Sequence, residues 1–318
     1  MLMAGAAVSP MAFPNSSLRL LDYIAEHHPR SLPGVREARN SSPADFDRYA
    51  NLFLGWAAGA FGESALPEIV NAFVRFNTAV NLAQARYEEQ GRYESKRFAD
   101  CFDALYSIDG AMDPYLLGVY LTNFMWAHHM DLSMFFERRF LPRIGQGQRL
   151  FEIAPGHGGW GLWALHATSG TTLRGFDISP SSMRIATALA HAAGLGERAS
   201  YIEADATQLT PSVAGPAADA CICCFLVEHL ENPDALLTSI RQLLDLNGIA
   251  FVAGALTAAQ VDHIFEFKRE SELVLLAERN GFRVLEMLSV GPRRLLPGAR
   301  FLPRSAALIL QKCRHETW

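Results

Sequence analysis

The stretch Arg149-Leu-Phe-Glu-Ile-Ala-Pro-Gly-His-Gly-Gly-Trp-Gly161 constrains this chain more than any other. It reads as a short apolar strand ending at Ala154, then a glycine-rich turn, then the start of a helix. Gly156, Gly158 and Gly159 remove side chains where a backbone must pass close to a ligand. The helix that follows offers unpaired N–H groups and a partial positive charge to that ligand. A carboxylate, Glu152, sits near the end of the strand that feeds the turn.

From Arg149 onward, strands and helices alternate, the pattern of a parallel sheet covered on both faces. Strands are expected at 149–154, 171–178, 199–204, 218–226, 248–256, 282–289 and 306–312. Ser179-Pro180 starts one intervening helix and Gly194 stops it. Asn232-Pro233 starts another, which should end at Asn247-Gly248. A long helix from about Ala258 to Asn280 should stop at Gly281.

Residues 44–140 read instead as helices. Leu66, Ile69, Val70, Phe73 and Val80 share one helical face. Asp113 as N-cap and Pro114 at the first position announce a long helix running to about Phe140. Its apolar stripe is Leu117, Leu121, Phe124, His128, Leu132 and Phe135. A shorter helix is expected over 95–108, and another from Leu18 to His28. The first dozen residues read as loosely structured. The expected division is a helical N-terminal or cap domain, 1–145, and a ligand-binding α/β domain, 146–318, joined near 142–148.

The bulk numbers exclude some functions. With 318 residues, half of them hydrophobic, the chain can bury a large core. A net charge of −5 and a pI near 6.1 argue against nucleic acid as a main partner. No long uninterrupted apolar run suggests a membrane span, and no basic residue precedes Arg19 to start a secretory signal. Five cysteines without framework spacing suit a reducing cytoplasm.

Gly156-His-Gly-Gly-Trp-Gly161 also spells G-x-G-x-x-G, the dinucleotide fingerprint. Asp177 ends the second strand 21 residues after Gly156, where the ribose of either NAD or S-adenosylmethionine would want a carboxylate. Later features separate the two. The block from about 149 to 312 resembles the class I S-adenosylmethionine-dependent methyltransferases. The resemblance rests on Glu152-Ile-Ala-Pro-Gly-His-Gly158, Gly175-Phe-Asp-Ile-Ser179 with Met183, Glu203-Ala-Asp-Ala206, Val227-Glu-His-Leu-Glu-Asn-Pro233 and Asn280-Gly-Phe282.

That resemblance implies a seven-stranded Rossmann-like sheet whose last strand is antiparallel. It implies S-adenosyl-L-methionine as cofactor. Glu152 would meet the methionine ammonium through water, the N–H groups around Gly156 to Gly159, Gly158 among them, would meet its carboxylate, and Ala154 would belong to the same cofactor site. Asp177 would accept the ribose hydroxyls, and Ile178 and Met183 would flank the adenine. Asp205, with Ala206 beside it, would receive the exocyclic amine. Phe225 and Leu226 would offer backbone carbonyls near the sulfonium.

For the acceptor side, His229 reads either as a general base oriented by Glu228 or as ordinary loop architecture. His128 and His129 read either as buried, hydrogen-bonded histidines or as part of a helix roofing the site. The aromatic run around them would then favour a flat or apolar acceptor. Adjacent helical residues diverge by about 100°, so the two are not expected to share a metal, and no other pairing has strong ligand spacing. Cys221 and Cys223 should face one side of the fourth strand and Cys224 the other, as small buried hydrophobes. Arg293, Arg294, Arg300 and Arg304 form either a solvated loop or a clamp for an anionic substrate.

The expectation is a small-molecule methyltransferase of specialised metabolism, with a homodimer surface on its N-terminal helices. The rivals are an NAD(P)-dependent oxidoreductase and a non-catalytic binding protein on the same fold.

Overall fold

The computed structural model describes residues 16–99, 106, 110–294 and 298–313. The expected loose N-terminus and most of the helix expected over 95–108 lie outside these residues.

All seven expected strands form, as β1 (Arg149–Ile153), β2 (Thr172–Asp177), β3 (Ala199–Glu203), β4 (Ala218–Cys224), β5 (Leu244–Leu256), β6 (Phe282–Val290) and β7 (Arg304–Lys312). They make one sheet in the order β3-β2-β1-β4-β5-β7-β6. β7 pairs antiparallel with both β5 and β6, while the other pairs are parallel. The order reverses at β1, whose neighbours are β2 and β4. Open α/β sheets bind ligands at such a point, beyond the carboxyl ends of the strands.

Side-chain alternation divides the interior in two. Leu150, Leu173, Ile222, Phe251 and Ile309 face one core, and Phe151, Phe176, Cys221, Val252 and Leu308 face the other. Cys223 joins the second face and Cys224 the first, as alternation predicts.

The first core is shared with the N-terminal helices α1 (Ser16–His27), α2 (Leu32–Ser41), α3 (Pro43–Phe61) and α4 (Leu66–Gln90). Tyr49 and Phe53 of α3 meet Trp163 edge-on at 4.8 and 5.7 Å, and Phe136 meets Phe251 of β5 at 5.0 Å. Edge-to-face aromatic pairs of this kind add about 0.5–1.5 kcal/mol beyond area burial. The helical layer and the sheet thus share one aromatic interior.

The helix expected from 113 to 140 is broken. α5 (Asp113–Met125) stops at Trp126, which is extended at φ −95°, ψ 125°, and α6 (Ala127–Phe135) begins after it. Thr122 Oγ1 and Asn123 Nδ2 each donate to a carbonyl three residues back. Such bonds compete with helix propagation. Ser133 Oγ donates to the Asn123 carbonyl at 2.7 Å, satisfying an acceptor near the break. The Trp126 indole donates to Asn77 at 2.6 Å and stacks on Phe76, which locks the extended residue. Met112 takes the N-cap position assigned to Asp113, and a π turn (Phe136–Phe140) ends the segment.

Two later boundaries also move. The helix that starts at Pro233 ends at Leu243, and β5 begins at Leu244, earlier than Asn247-Gly248 suggested. Only Glu270–Arg279 of the expected helix 258–280 is helical. Residues 257–269 are a loop, begun by Thr257 at φ +48°. Ile264 and Phe265 donate N–H bonds to the Glu228 carbonyl at 2.8 and 2.9 Å, and a bridge joins Phe267 to Leu256. The apolar periodicity of 258–268 reflects this tie-down, not a helix.

Among the described residues no helix is long and apolar enough to cross a membrane.

The approach of α4 and α5 depends on Gly118, where a Cβ would sit 2.8 Å from both the Ala72 carbonyl oxygen and Phe76 Cβ. Gly118→Ala should therefore lower stability by about 1–3 kcal/mol. Urea unfolding should show a lower midpoint with an unchanged slope.

Candidate functional site

The glycine turn after β1 is built as the sequence suggested. Ala154, Gly156 and Gly158 all have positive φ (51°, 54° and 75°), and helix Gly159–Ala167 starts immediately after Gly158. A Cβ on Gly158 would fall 2.8 Å from Ala186 Cβ, so Gly158 serves packing against the helix Pro180–Ala192. A Cβ on Gly161 would overlap the Glu152 carboxylate. The last glycine of the motif therefore makes room for the acid before it.

Glu152 is 2 % exposed. Its Oε1 accepts the Gly161 N–H at 3.0 Å, while its Oε2 is buried without a partner. Burial pushes its carboxyl up to about 8, the Gly161 N–H opposes this, and the nearby Asp177 charge adds to it. Asp177 is also buried, which raises its carboxyl, though N–H groups of Ser179 and Gly156 hold its oxygens at 2.9 and 3.1 Å.

These groups open onto a cavity of about 980 Å³ at the carboxyl edge of the sheet. Glu152, Ala154, Gly156, Asp177, Ile178, Asp205, Ala206 and Phe225 line it. Gly158 and Met183, named from the sequence, lie outside the lining. Asp205 also caps its own turn, accepting from Thr207 N, Thr207 Oγ1 and Gln208 Nε2 at 2.7–2.8 Å.

A second cavity, about 450 Å³, adjoins the first. Tyr115, Val119, Thr122, Phe225 and His229 line both. His128 and His129 line the second one only. His129 stacks on Phe225 at 5.0 Å and 20°, and its ring nitrogens lie 3.1 Å from Thr122 Oγ1 and 3.3 Å from Ser305 Oγ. Burial lowers His128 to about 4 and His129 well below its ordinary value, the latter helped by the neighbouring His128. Both are neutral rings at neutral pH.

His229 reaches both cavities, but its partner is not Glu228. Its Nδ1 lies 3.1 Å from the Asp262 carbonyl oxygen and 3.3 Å from Asp262 Oδ2. Tyr106 Oη donates to the same carboxylate at 2.7 Å. Burial would lower His229, yet Asp262 and Glu228 together raise it to about 9. Burial would raise Asp262, but His229 holds it well below the usual carboxylate range. Glu228 is fully buried, lines neither cavity, and uses Oε1 to accept the Ala255 N–H at 3.1 Å. The Glu228 carboxylate lies within 4.8 Å of a His229 ring nitrogen, but the hydrogen bonds that hold His229 Nδ1 come from Asp262.

Asp262 and His263 were missed because periodicity placed them on a helix. Tyr106 and Tyr115 were missed because aromatic residues on helices read as core. The four arginines proposed as a clamp each meet a carboxylate: Arg293 with Asp131, Arg294 with Glu37, Arg300 with Glu88 and Arg304 with Glu270.

The strand order and this glycine-turn site define a class I S-adenosylmethionine-dependent methyltransferase fold. Residues 151–252 match the family described as "Methyltransferase domain". Over residues 151–252 the chain is thus similar to that family, and S-adenosyl-L-methionine is the cofactor that the sequence resemblance implies.

Solved structures of similar shape include phosphoethanolamine N-methyltransferase 2 of Haemonchus contortus in complex with S-adenosyl-L-methionine. It is 14 % identical, with 70 % of this chain and 61 % of that one covered at a TM-score of 0.49. The cyclase SpnF is 18 % identical over 67 % of this chain and 88 % of its own, at a TM-score of 0.47. YcgJ of Bacillus subtilis is 14 % identical over 59 % and 100 %, at 0.46. No curated protein matches the sequence.

The residues present fit the cofactor. The unpartnered Glu152 Oε2 is a buried acceptor that an ammonium group would satisfy. Asp177 lines the same cavity at the end of β2, where ribose hydroxyls would want a carboxylate.

Because the Glu152 carboxyl is raised to about 8 in the fold, the folded chain holds a proton there that the unfolded chain loses above the ordinary carboxylate range. Its contribution to stability is present below that range and is lost as pH rises through about 8. Comparing urea midpoints at about pH 5.5 and about pH 8.5 checks this: the parent should lose more stability over the interval than Glu152→Gln.

Proposed function

We propose that the protein transfers a methyl group from S-adenosyl-L-methionine to a small, flat, largely apolar molecule held in the second cavity. The observation that carries this reading is the pair of adjoining cavities sharing Phe225 and His229 at the carboxyl edge of the sheet. Glu152, Ala154, Gly156, Asp177, Ile178, Asp205, Ala206 and Phe225 would hold the cofactor in the first. Gly158 would act by letting the loop approach the neighbouring helix, and Met183 would contribute packing outside the lining.

The acceptor would lie among Tyr115, Trp126, His128, His129 and His229. The neutral rings of His128 and His129 can accept or donate one hydrogen bond each without a charge, which suits an aromatic acceptor with a few polar substituents. The enclosing helices favour a small molecule over a polypeptide or nucleic acid. The reading does not need the arginines of 293–304, whose charges are met by carboxylates.

Methyl transfer from a sulfonium is an in-line displacement, so placing the nucleophile accounts for much of the rate. Thr122, His129 and His229 would orient the acceptor, and Phe225 would set its distance from the donor.

Calorimetry with the full chain should show S-adenosyl-L-methionine binding and no NAD binding. Asp177→Ala should weaken the cofactor by about 10–100-fold. Tight NAD binding without response to S-adenosyl-L-methionine would return the chain to the oxidoreductases. With methyl-labelled donor and mixed acceptor panels, label should enter small aromatic molecules; label confined to polypeptide or RNA would exclude the small-molecule reading.

A further inference from the structure

Behind the wall of the second cavity, three side chains meet from two segments distant in sequence. Glu228 and His229 stand on the turn that follows β4, and His263 stands on the loop that follows β5. One carboxylate oxygen and one nitrogen of each ring lie within 4.8 Å of one another, and all three residues are buried.

What each residue does with its other polar atom matters most. His263 Nδ1 lies 2.7 Å from the Ala258 carbonyl oxygen. A carbonyl only accepts, so Nδ1 carries the proton and Nε2 the lone pair. That Nε2 is buried and has no partner. His229 Nδ1 faces the Asp262 carbonyl and carboxylate at 3.1 and 3.3 Å, which by the same logic leaves its Nε2 lone pair free once the ring is neutral. Glu228 anchors Oε1 on the Ala255 N–H, and its Oε2 is buried without a partner. Glu228 and His263 are thus each fixed by one atom and left unsatisfied at another, and His229 is fixed through Nδ1. Metal-ligating histidines are commonly held in this way, through the second ring nitrogen to a carbonyl or carboxylate.

Glu228 and Asp262 are 0 % and 3 % exposed, so both carboxylates are held away from water and need polar or ionic partners.

We propose that Glu228, His229 and His263 bind a divalent first-row transition-metal ion of the zinc type, with Asp262 positioning His229. Two imidazoles and one carboxylate form the donor set of open, catalytic zinc and non-haem iron sites. Calcium and magnesium would want oxygen ligands instead. Three protein ligands leave at least one coordination position open. His229 lines both cavities, which gives an ion a route in. Given the methyltransferase reading, the open position would hold a polar atom of the acceptor. The ion itself does not depend on that reading.

The plainer occupant is an ordered water bridging Glu228 Oε2, His263 Nε2 and the buried, unpartnered Tyr93 Oη, whose ring lies 5.7 Å from that of His263.

The test is cobalt(II) titration of the chelator-treated full chain, followed by displacement with zinc. About one ion per chain should bind with a visible ligand-field band that zinc abolishes. Glu228→Gln and His263→Ala should each lose the band, and Asp262→Asn should weaken binding by about 10–100-fold. Circular dichroism checks that each variant is folded. If neither ligand variant folds, zinc-edge X-ray absorption of the loaded parent decides: about two imidazoles and no sulfur support the site, whereas sulfur ligation overturns it. A folded parent that takes up neither metal overturns the proposal in favour of the bridging water. Uptake undiminished in both folded variants overturns it in favour of binding elsewhere. No arm requires methyl transfer, so failure here is distinct from failure of the proposed activity.

Discussion

A buried carboxylate with one free oxygen governs the organisation of this protein. Glu152 is tied to the Gly161 N–H by Oε1 and left open at Oε2. Gly161 must lack a side chain for that carboxylate to fit, and Gly158 must lack one for the loop to lie on Ala186. The strand end, the glycine turn and the helix start therefore form one unit that lines the first cavity and carries an unsatisfied acid. Without a cationic partner, burial favours the protonated acid; with one, the ionised form becomes the stable state. The site is built around a group at its most favourable only when occupied.

Most of the sheet is legible in the sequence. Seven apolar stretches became seven strands, and the reversal at β1 follows from pairing them as a doubly wound sheet. The signals were strong because buried parallel strands need near-continuous apolar runs, bounded by glycine, proline and asparagine. Glu152, Asp177 and Asp205 could be placed because their spacing follows from strand length and turn length.

The helices misled where side chains compete with the backbone. Thr122 and Asn123 bond to the preceding turn, and Trp126 leaves the helix to reach Asn77. Periodicity counts only apolarity, so it ran through that break. It also ran through 258–268, a loop in which Phe265 and Phe267 meet ring to ring while Asp262 and His263 are buried. The error hid the partner of His229. Glu228, its neighbour in sequence, was the natural candidate; its carboxylate comes near the ring but accepts the Ala255 N–H, while Asp262 holds His229 Nδ1. Sequence adjacency and spatial partnership are different properties, most of all in short turns.

The same edge of the sheet collects the strained backbone. Ala154, Phe225 and Thr257 follow β1, β4 and β5, and all three have positive φ without being glycine. Such residues cost of order 1–3 kcal/mol each and persist where surrounding structure holds them. Here the holders are identifiable. Ala154 N donates to the Phe176 carbonyl, Phe225 N to the Ala253 carbonyl and Thr257 N to the Phe267 carbonyl, at 2.8–2.9 Å. Each strand is thus clamped to a neighbouring segment at the point where it turns sharply away. The turn at Ala154 opens the glycine loop, the turn at Phe225 puts its ring against His129, and the turn at Thr257 launches the loop that carries Asp262 and His263. One mechanical device, a hydrogen-bonded strand end followed by a left-handed residue, therefore places the cofactor loop, the wall between the two cavities and the histidine cluster behind it.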